Sequence, residues 1–151
     1  MKNLIIFLLI LSIVSLSGCV SDSPDKLQRT ETEMGYRSEF NGEWSVEVLT
    51  RGAFIESLNE AKAEAEINDL EIYNETGYSK LEDYGTTQIA GITAYYNTYY
   101  LLYEDNTPVK FNGILRFEKN NKWYAINWMD QLGNPNKNEI EQEIAYYINK
   151  L

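Results

Sequence analysis

Hydrophobic and polar positions change character several times along the chain. Residues 4–16 are an apolar run broken only by Ser12 and Ser15. That is too short to span a bilayer, which takes about 20 residues, but it suits the core of a signal sequence. Residues 20–41 are polar, rich in Ser, Thr and Glu and without sustained periodicity, which predicts a flexible tether. At Glu43 alternation begins: Trp44, Val46 and Val48 alternate with Ser45 and Glu47, the pattern of a strand with one buried face. Gly52 ends it. Phe54, Leu58, Ala61 and Ala65 then recur at helical spacing, which predicts one amphipathic helix of about four turns. Leu70, Glu71, Ile72 and Tyr73 alternate again as a short strand, and residues 77–85 are acidic and loop-like, with Glu82 and Asp83 adjacent.

Residues 86–103, rich in Thr, Ile and Tyr, predict one or two strands broken near Ala90-Gly91. Along such a strand Tyr95, Tyr99 and Tyr103 point one way, and Tyr96, Tyr100 and Leu102 the other. The same tyrosines also fit helical spacing, and the Thr and Tyr content decides for strand. Residues 104–108 are a turn. Asn120-Asn121 then reads as a two-residue hairpin turn, because Asn tolerates the positive φ that a type I′ turn requires. Pairing outward sets Phe117 opposite Tyr124, Leu115 opposite Ile126 and Gly113 opposite Trp128 on an apolar face. Glu118 with Trp123 and Arg116 with Ala125 make a second face, expected to be half-exposed. The chain closes on a helix opened by Asn134-Pro135 or Asn136, with Glu139 completing a capping-box variant and Ile140, Ile144, Tyr147, Ile148 and Leu151 as its buried stripe. No internal repeat is present. The expected fold class is α+β, an antiparallel sheet packed by helices, in one globular domain over residues 42–151.

The N-terminal pattern acquires a function at Leu16-Ser17-Gly18-Cys19, which has the form of a lipobox. Residues 1–18 would then be a lipoprotein signal peptide, Cys19 the lipid attachment site and residues 19–41 the tether. Cys19 is the only cysteine, so no disulfide framework and no Cys-based metal site are expected. Histidine is absent, which removes Ser-His-Asp and Cys-His nucleophile systems, His acid–base work and His metal ligands together. The net charge is −10, and beyond the signal the chain carries twelve basic against twenty-three acidic side chains. Such a surface repels phosphate backbones, so no nucleic-acid partner is expected, and it suits solubility beside a negative membrane. The twelve tyrosines fit half-wet sheet surfaces.

Ile89-Ala90-Gly91-Ile92-Thr93-Ala94-Tyr95, the tyrosine-rich strand after it, Gly113-Ile114-Leu115-Arg116-Phe117, Lys122-Trp123-Tyr124-Ala125-Ile126 and the terminal helix with Ile144 and Ile148 follow one another in an order that resembles the PsbP-like proteins. These are relatives of an extrinsic photosystem II subunit, and prokaryotic members are often small lipoproteins without a photosynthetic role. The resemblance covers about residues 42–151 and carries no catalytic motif. It implies an α/β/α sandwich. The runner-up is the nuclear-transport-factor-2-like cone, whose members usually begin with helices and end on a strand, whereas this chain ends on a helix.

Three constellations bear on chemistry. Tyr95, Tyr99 and Tyr103 with Trp123 are a candidate ligand platform for a sugar or peptide, set against ordinary sheet packing. Glu71, Glu75, Glu82, Asp83, Glu104 and Asp105 could supply oxygen ligands, but the alternating acids and central Gly of a Ca²⁺ loop are missing. A pair of carboxylates could run glycoside hydrolysis. Asn74-Glu75-Thr76 fits the N-glycosylation sequon. The function expected is a lipid-anchored, extracytoplasmic accessory or binding module without catalytic activity. It would be held at the cell membrane through Cys19, in company with a membrane or envelope protein complex. No catalytic residue, metal or cofactor is expected. The alternatives are a carboxylate-dependent hydrolase and a small-ligand or glycan-binding protein of the cell envelope.

Overall fold

The computed structural model describes residues 27–68 and 78–151. They form strands β1 (Leu27–Thr32), β2 (Gly35–Phe40) and β3 (Trp44–Leu49), helices α1 (Ala53–Glu56) and α2 (Glu60–Asn68), strands β4 (Ser79–Ile89), β5 (Ile92–Leu102), β6 (Pro108–Lys119) and β7 (Lys122–Asp130), and helix α3 (Lys137–Lys150). The expected signal peptide and lipobox, the strand expected at 70–73, the sequon at Asn74 and the acids Glu71 and Glu75 lie outside the described residues.

Asn120 and Asn121 both take positive φ, 54° and 59°, and join β6 to β7 in the register their apolar positions predict: Phe117 faces Tyr124, Leu115 faces Ile126 and Gly113 faces Trp128. Ala90 and Gly91 make the same kind of turn between β4 and β5, with φ of 47° and 79°. The whole is one antiparallel seven-stranded sheet in the order β1-β2-β3-β7-β6-β5-β4. Two meanders, β1–β3 and β4–β7, meet where β3 pairs with β7, Val46 opposite Trp128 and Val48 opposite Ile126. Helices pack on both faces, an α+β architecture.

The main core lies on one face. Trp44, Val46, Val48, Leu115, Phe117 and Ile126 pack against Ile140, Ile144, Tyr147 and Ile148 of α3, the stripe predicted for that helix. Burying a large aliphatic or aromatic side chain contributes about 1.5–3 kcal/mol. A smaller cluster on the opposite face joins Ile55, Leu58 and Ala63 to Ala125, with Tyr95 and Trp123 against it.

Four expectations are corrected. The tether does not run to residue 41, because residues 27–40 form β1 and β2, an edge hairpin in which Tyr36, Ser38 and Phe40 face the core side. Backbone pairing and α3, rather than apolar content, hold it. The helix expected from Phe54 to Ala65 is two helices. Asn59 restarts it by accepting the Lys62 N–H at 3.0 Å, and the buried stripe becomes Ile55, Leu58, Ala63 and Ile67 while Phe54, Ala61 and Ala65 face solvent. Residues 79–85 are strand, carried by pairing with β5 through a bulge between Leu81 and Asp83. Arg116 is buried instead of half-exposed, donating to Asn97 Oδ1 at 3.0 Å and ion-paired at 2.5 Å with Glu66 of α2.

Candidate functional site

Helix α3 lies mainly over β3 and β7 and reaches Leu115 and Phe117 of β6, so the β4–β5 part of the same face lies beside it. Between the two lies a cleft of about 620 Å³. Its floor is aromatic and aliphatic: Phe111, Leu115, Tyr96 and Trp128. Trp128 reaches the floor because its partner across the sheet is Gly113, where any Cβ would overlap the indole. That glycine matters through close approach.

One wall is α3, presenting Ile140, Ile144, Lys137 and Glu141, and the other is β4, presenting Glu82, Asp83, Thr86 and Thr87. Lys137 Nζ and Glu141 Oε1 lie 3.8 Å apart, one turn apart on an exposed helix face. Asp83 is tied into its wall: Oδ2 accepts the Tyr96 hydroxyl at 2.8 Å and Oδ1 accepts the Tyr84 N–H at 2.8 Å. The Tyr96 phenol is held above its ordinary value of 10.0, first by that hydrogen bond, then by burial and by the Asp83 charge.

At the mouth, residues 131–136 connect β7 to α3 around Asp130, which is fully buried. Its carboxylate accepts Gln131 N at 2.7 Å, Asn136 Nδ2 at 2.7 Å and Asn136 N at 3.1 Å. Asn136 is therefore turned towards Asp130, and the expected side-chain cap with Glu139 is not made. In the same loop Asn134 takes φ of 53° and lines the cleft. Its Oδ1 is buried without a hydrogen-bond partner. A buried acceptor left unpaired costs about 1–3 kcal/mol.

A second groove, of about 490 Å³, runs along the other side of α3 between Leu27, Phe40, Trp44, Glu139 and Tyr146. Two of its charged groups are paired with each other. Arg29 grips Glu143 with two hydrogen bonds of 2.7 Å, Ser38 Oγ donates to Glu143 Oε1 at 2.5 Å, and the Tyr147 hydroxyl, 2.6 Å from Ser38 Oγ, is left to donate to it. Burial raises the Glu143 carboxyl, but the hydrogen bonds from Arg29 and Ser38 and the Arg29 charge outweigh it, so the net shift is downward from 4.5. This network fixes β1 and β2 to α3. The cleft over β4–β6 is the roomier of the two, about 620 against 490 Å³, and is the better site.

The expected tyrosine platform is distributed differently. Tyr95 and Trp123 come together on the opposite face, ring centres 6.3 Å apart, but they pack under α1 and α2. The Tyr95 hydroxyl donates to Glu60 at 3.0 Å. Tyr99 lies further along that face, opposite Asn112. Tyr103 lies past the end of β5 and is 60% exposed. Of the acids weighed for a cation, Glu82 and Asp83 stand on β4, while Glu104 and Asp105 lie in the β5–β6 turn. The described residues hold no cluster of three or more metal-ligating side chains, and no helix among them is long and apolar enough to cross a membrane. Sequence reasoning missed the cleft residues Trp128, Asn134 and Glu141 as a group. The Gly113–Trp128 pairing was the one available signal, but nothing in it announced that α3 would stop short of β5. No protein-family model matches the chain, and no curated protein matches it.

Proposed function

We propose that this chain is a lipid-anchored, extracytoplasmic binding module without catalytic activity, that Cys19 carries the lipid, and that the cleft between α3 and β4 is its binding site. The cleft carries the reading. Its volume falls in the range of about 300–1,000 Å³ typical of small-molecule sites, and it combines an apolar floor with a few placed polar groups. The lipobox supports the anchoring, since diacyl or ether-linked chains hold a protein durably at a membrane. The PsbP-like resemblance fits a helix-covered antiparallel sheet and stays part of this proposal.

Two-dimensional NMR of the soluble domain against a fragment panel tests the site. Ligands that shift the Trp128 indole N–H and the Asn134 side-chain amide together support it, whereas shifts confined to other surfaces, or none, sink it.

One observation favours a second reading, a carboxylate-dependent hydrolase: Glu82 and Asp83 from β4 and Glu141 from α3 line the same concave cleft. Against it, all three are exposed. Asp83 is engaged by Tyr96 and Glu141 is paired with Lys137, so none has the apolar surroundings of a general acid. Turnover of chromogenic glycosides that disappears in Glu141→Gln would establish the hydrolase in place of the binding module.

A further inference from the structure

We infer that the cleft between α3 and β4 selects a small organic cation: an apolar body carrying an ammonium or guanidinium head. This rests on the reading of the cleft as a binding site and adds the chemistry of its occupant.

Negative charge in the cleft lining outweighs positive. Three carboxylates face the cleft, Glu82 and Asp83 from one wall and Glu141 from the other, against a single cation, Lys137. Lys137 lies 3.8 Å from Glu141, which leaves the β4 wall without a basic counterpart in the lining. Asn134, from the loop before α3, also lines the cleft. Carboxylates accept and cannot donate, so a group that pairs with this rim must bring N–H or O–H donors, and positive charge fits it best. The floor supplies the rest. Trp128 and Tyr96, both half-buried, offer aromatic surface for an apolar body, and aromatic rings attract a cation through their faces. The field of the whole chain, at −10, raises the local concentration of cations and disfavours anions with the same apolar body.

The experiment uses three probes that share a phenyl body and differ in the head: 2-phenylethylamine, 2-phenylethanol and 3-phenylpropionate. Each is titrated into the ¹⁵N-labelled domain while Trp128 Nε1–H and the Asn134 side chain are followed. The amine is expected to bind tightest, to shift both reporters, and to weaken as salt rises from low to physiological strength. In a Glu82→Gln/Glu141→Gln double variant, both changes being isosteric and on exposed positions, the amine should lose affinity roughly fivefold to tenfold, with the alcohol unchanged.

If the alcohol binds as tightly as the amine, or the double variant leaves amine binding intact, the cation inference falls while the cleft stands as a site. If the propionate binds best, the charge argument is overturned outright. If none of the probes shifts Trp128 and Asn134, both this inference and the binding-site reading fail. Unchanged backbone resonances elsewhere in the double variant show that it folds.

Discussion

Glu143 shows how one carboxylate fixes an edge of the sheet. It is 4% exposed and held by Arg29 and Ser38. Breaking a fully buried ion pair costs about 3–5 kcal/mol, but the Arg29 side chain is 44% exposed, so water replaces part of what is lost. Glu143→Gln should therefore destabilise the fold by about 1–3 kcal/mol in urea unfolding. The pH dependence has a definite sign. The folded carboxyl titrates below its ordinary 4.5, so its stabilisation is complete above that value and is lost as pH falls through the lower folded value. The difference between wild type and Glu143→Gln should be flat from neutral pH to about 5 and shrink in more acidic solution. A difference that instead grows on acidification would show that burial, not Arg29, governs this carboxyl. At Gly113 the cause is steric. Gly113→Ala places a methyl where the Trp128 ring lies and should cost about 1–3 kcal/mol by overpacking, with Trp128→Phe in the same chain recovering part of it. None of the Arg29, Ser38, Arg116 or Glu66 pairings was legible in the sequence, because each joins residues far apart in the chain and polar patterning carries no partner information.

Among the elements, the hairpin β6–β7 was legible down to its register, because an Asn-Asn turn and alternating apolar residues specify pairing locally. The turn at Ala90-Gly91 and the stripe of α3 were legible for the same reason. The hairpin β1–β2 was not. Its six-residue strands bury little apolar surface, with Ser38 fully buried in a place where a hydrophobic residue would have announced the strand. The break between α1 and α2 was hidden because Leu58 fits the period of either one helix or two. A chain starting at residue 42, the boundary that patterning indicates, tests what the edge hairpin contributes. It would leave β3 as a bare edge and uncover the side of Trp44 now stacked on Phe40, whose ring centre is 5.9 Å away. That chain should unfold at markedly lower urea than a chain starting at residue 26, and should associate with itself at high concentration. Equal stability of the two would mean that β1 and β2 only rest on the domain.

For the molecule as a whole, the correction to the tether would change how a lipid-anchored domain stands on a membrane. With Cys19 lipidated, the eight residues from there to Leu27 reach at most about 28 Å, against the far longer reach of a tether running to residue 41. Leu27 begins β1 at one end of the sheet, the end that also holds the turn at residues 41–43, the β5–β6 turn and the loop at residues 131–136. That end carries Tyr103 and Leu132, 60% and 49% exposed. The Asn120-Asn121 turn is at the opposite end, some 40 Å away along the twelve residues of β6. Since Cys19 is the only native cysteine and would be blocked by its lipid, a cysteine introduced at Leu132 or at Asn121 is a unique site for a fluorophore. In vesicles containing spin-labelled lipid, the label at Leu132 should be quenched strongly and the label at Asn121 weakly. In chains that also carry Cys19→Ala the protein should leave the vesicles and both should escape. Equal quenching at the two positions with the lipid in place would show that the domain tumbles freely on a longer effective tether. Retention of the Cys19→Ala chains would mean that residues 4–16 stay in the membrane as an uncleaved anchor and that Cys19 carries no lipid.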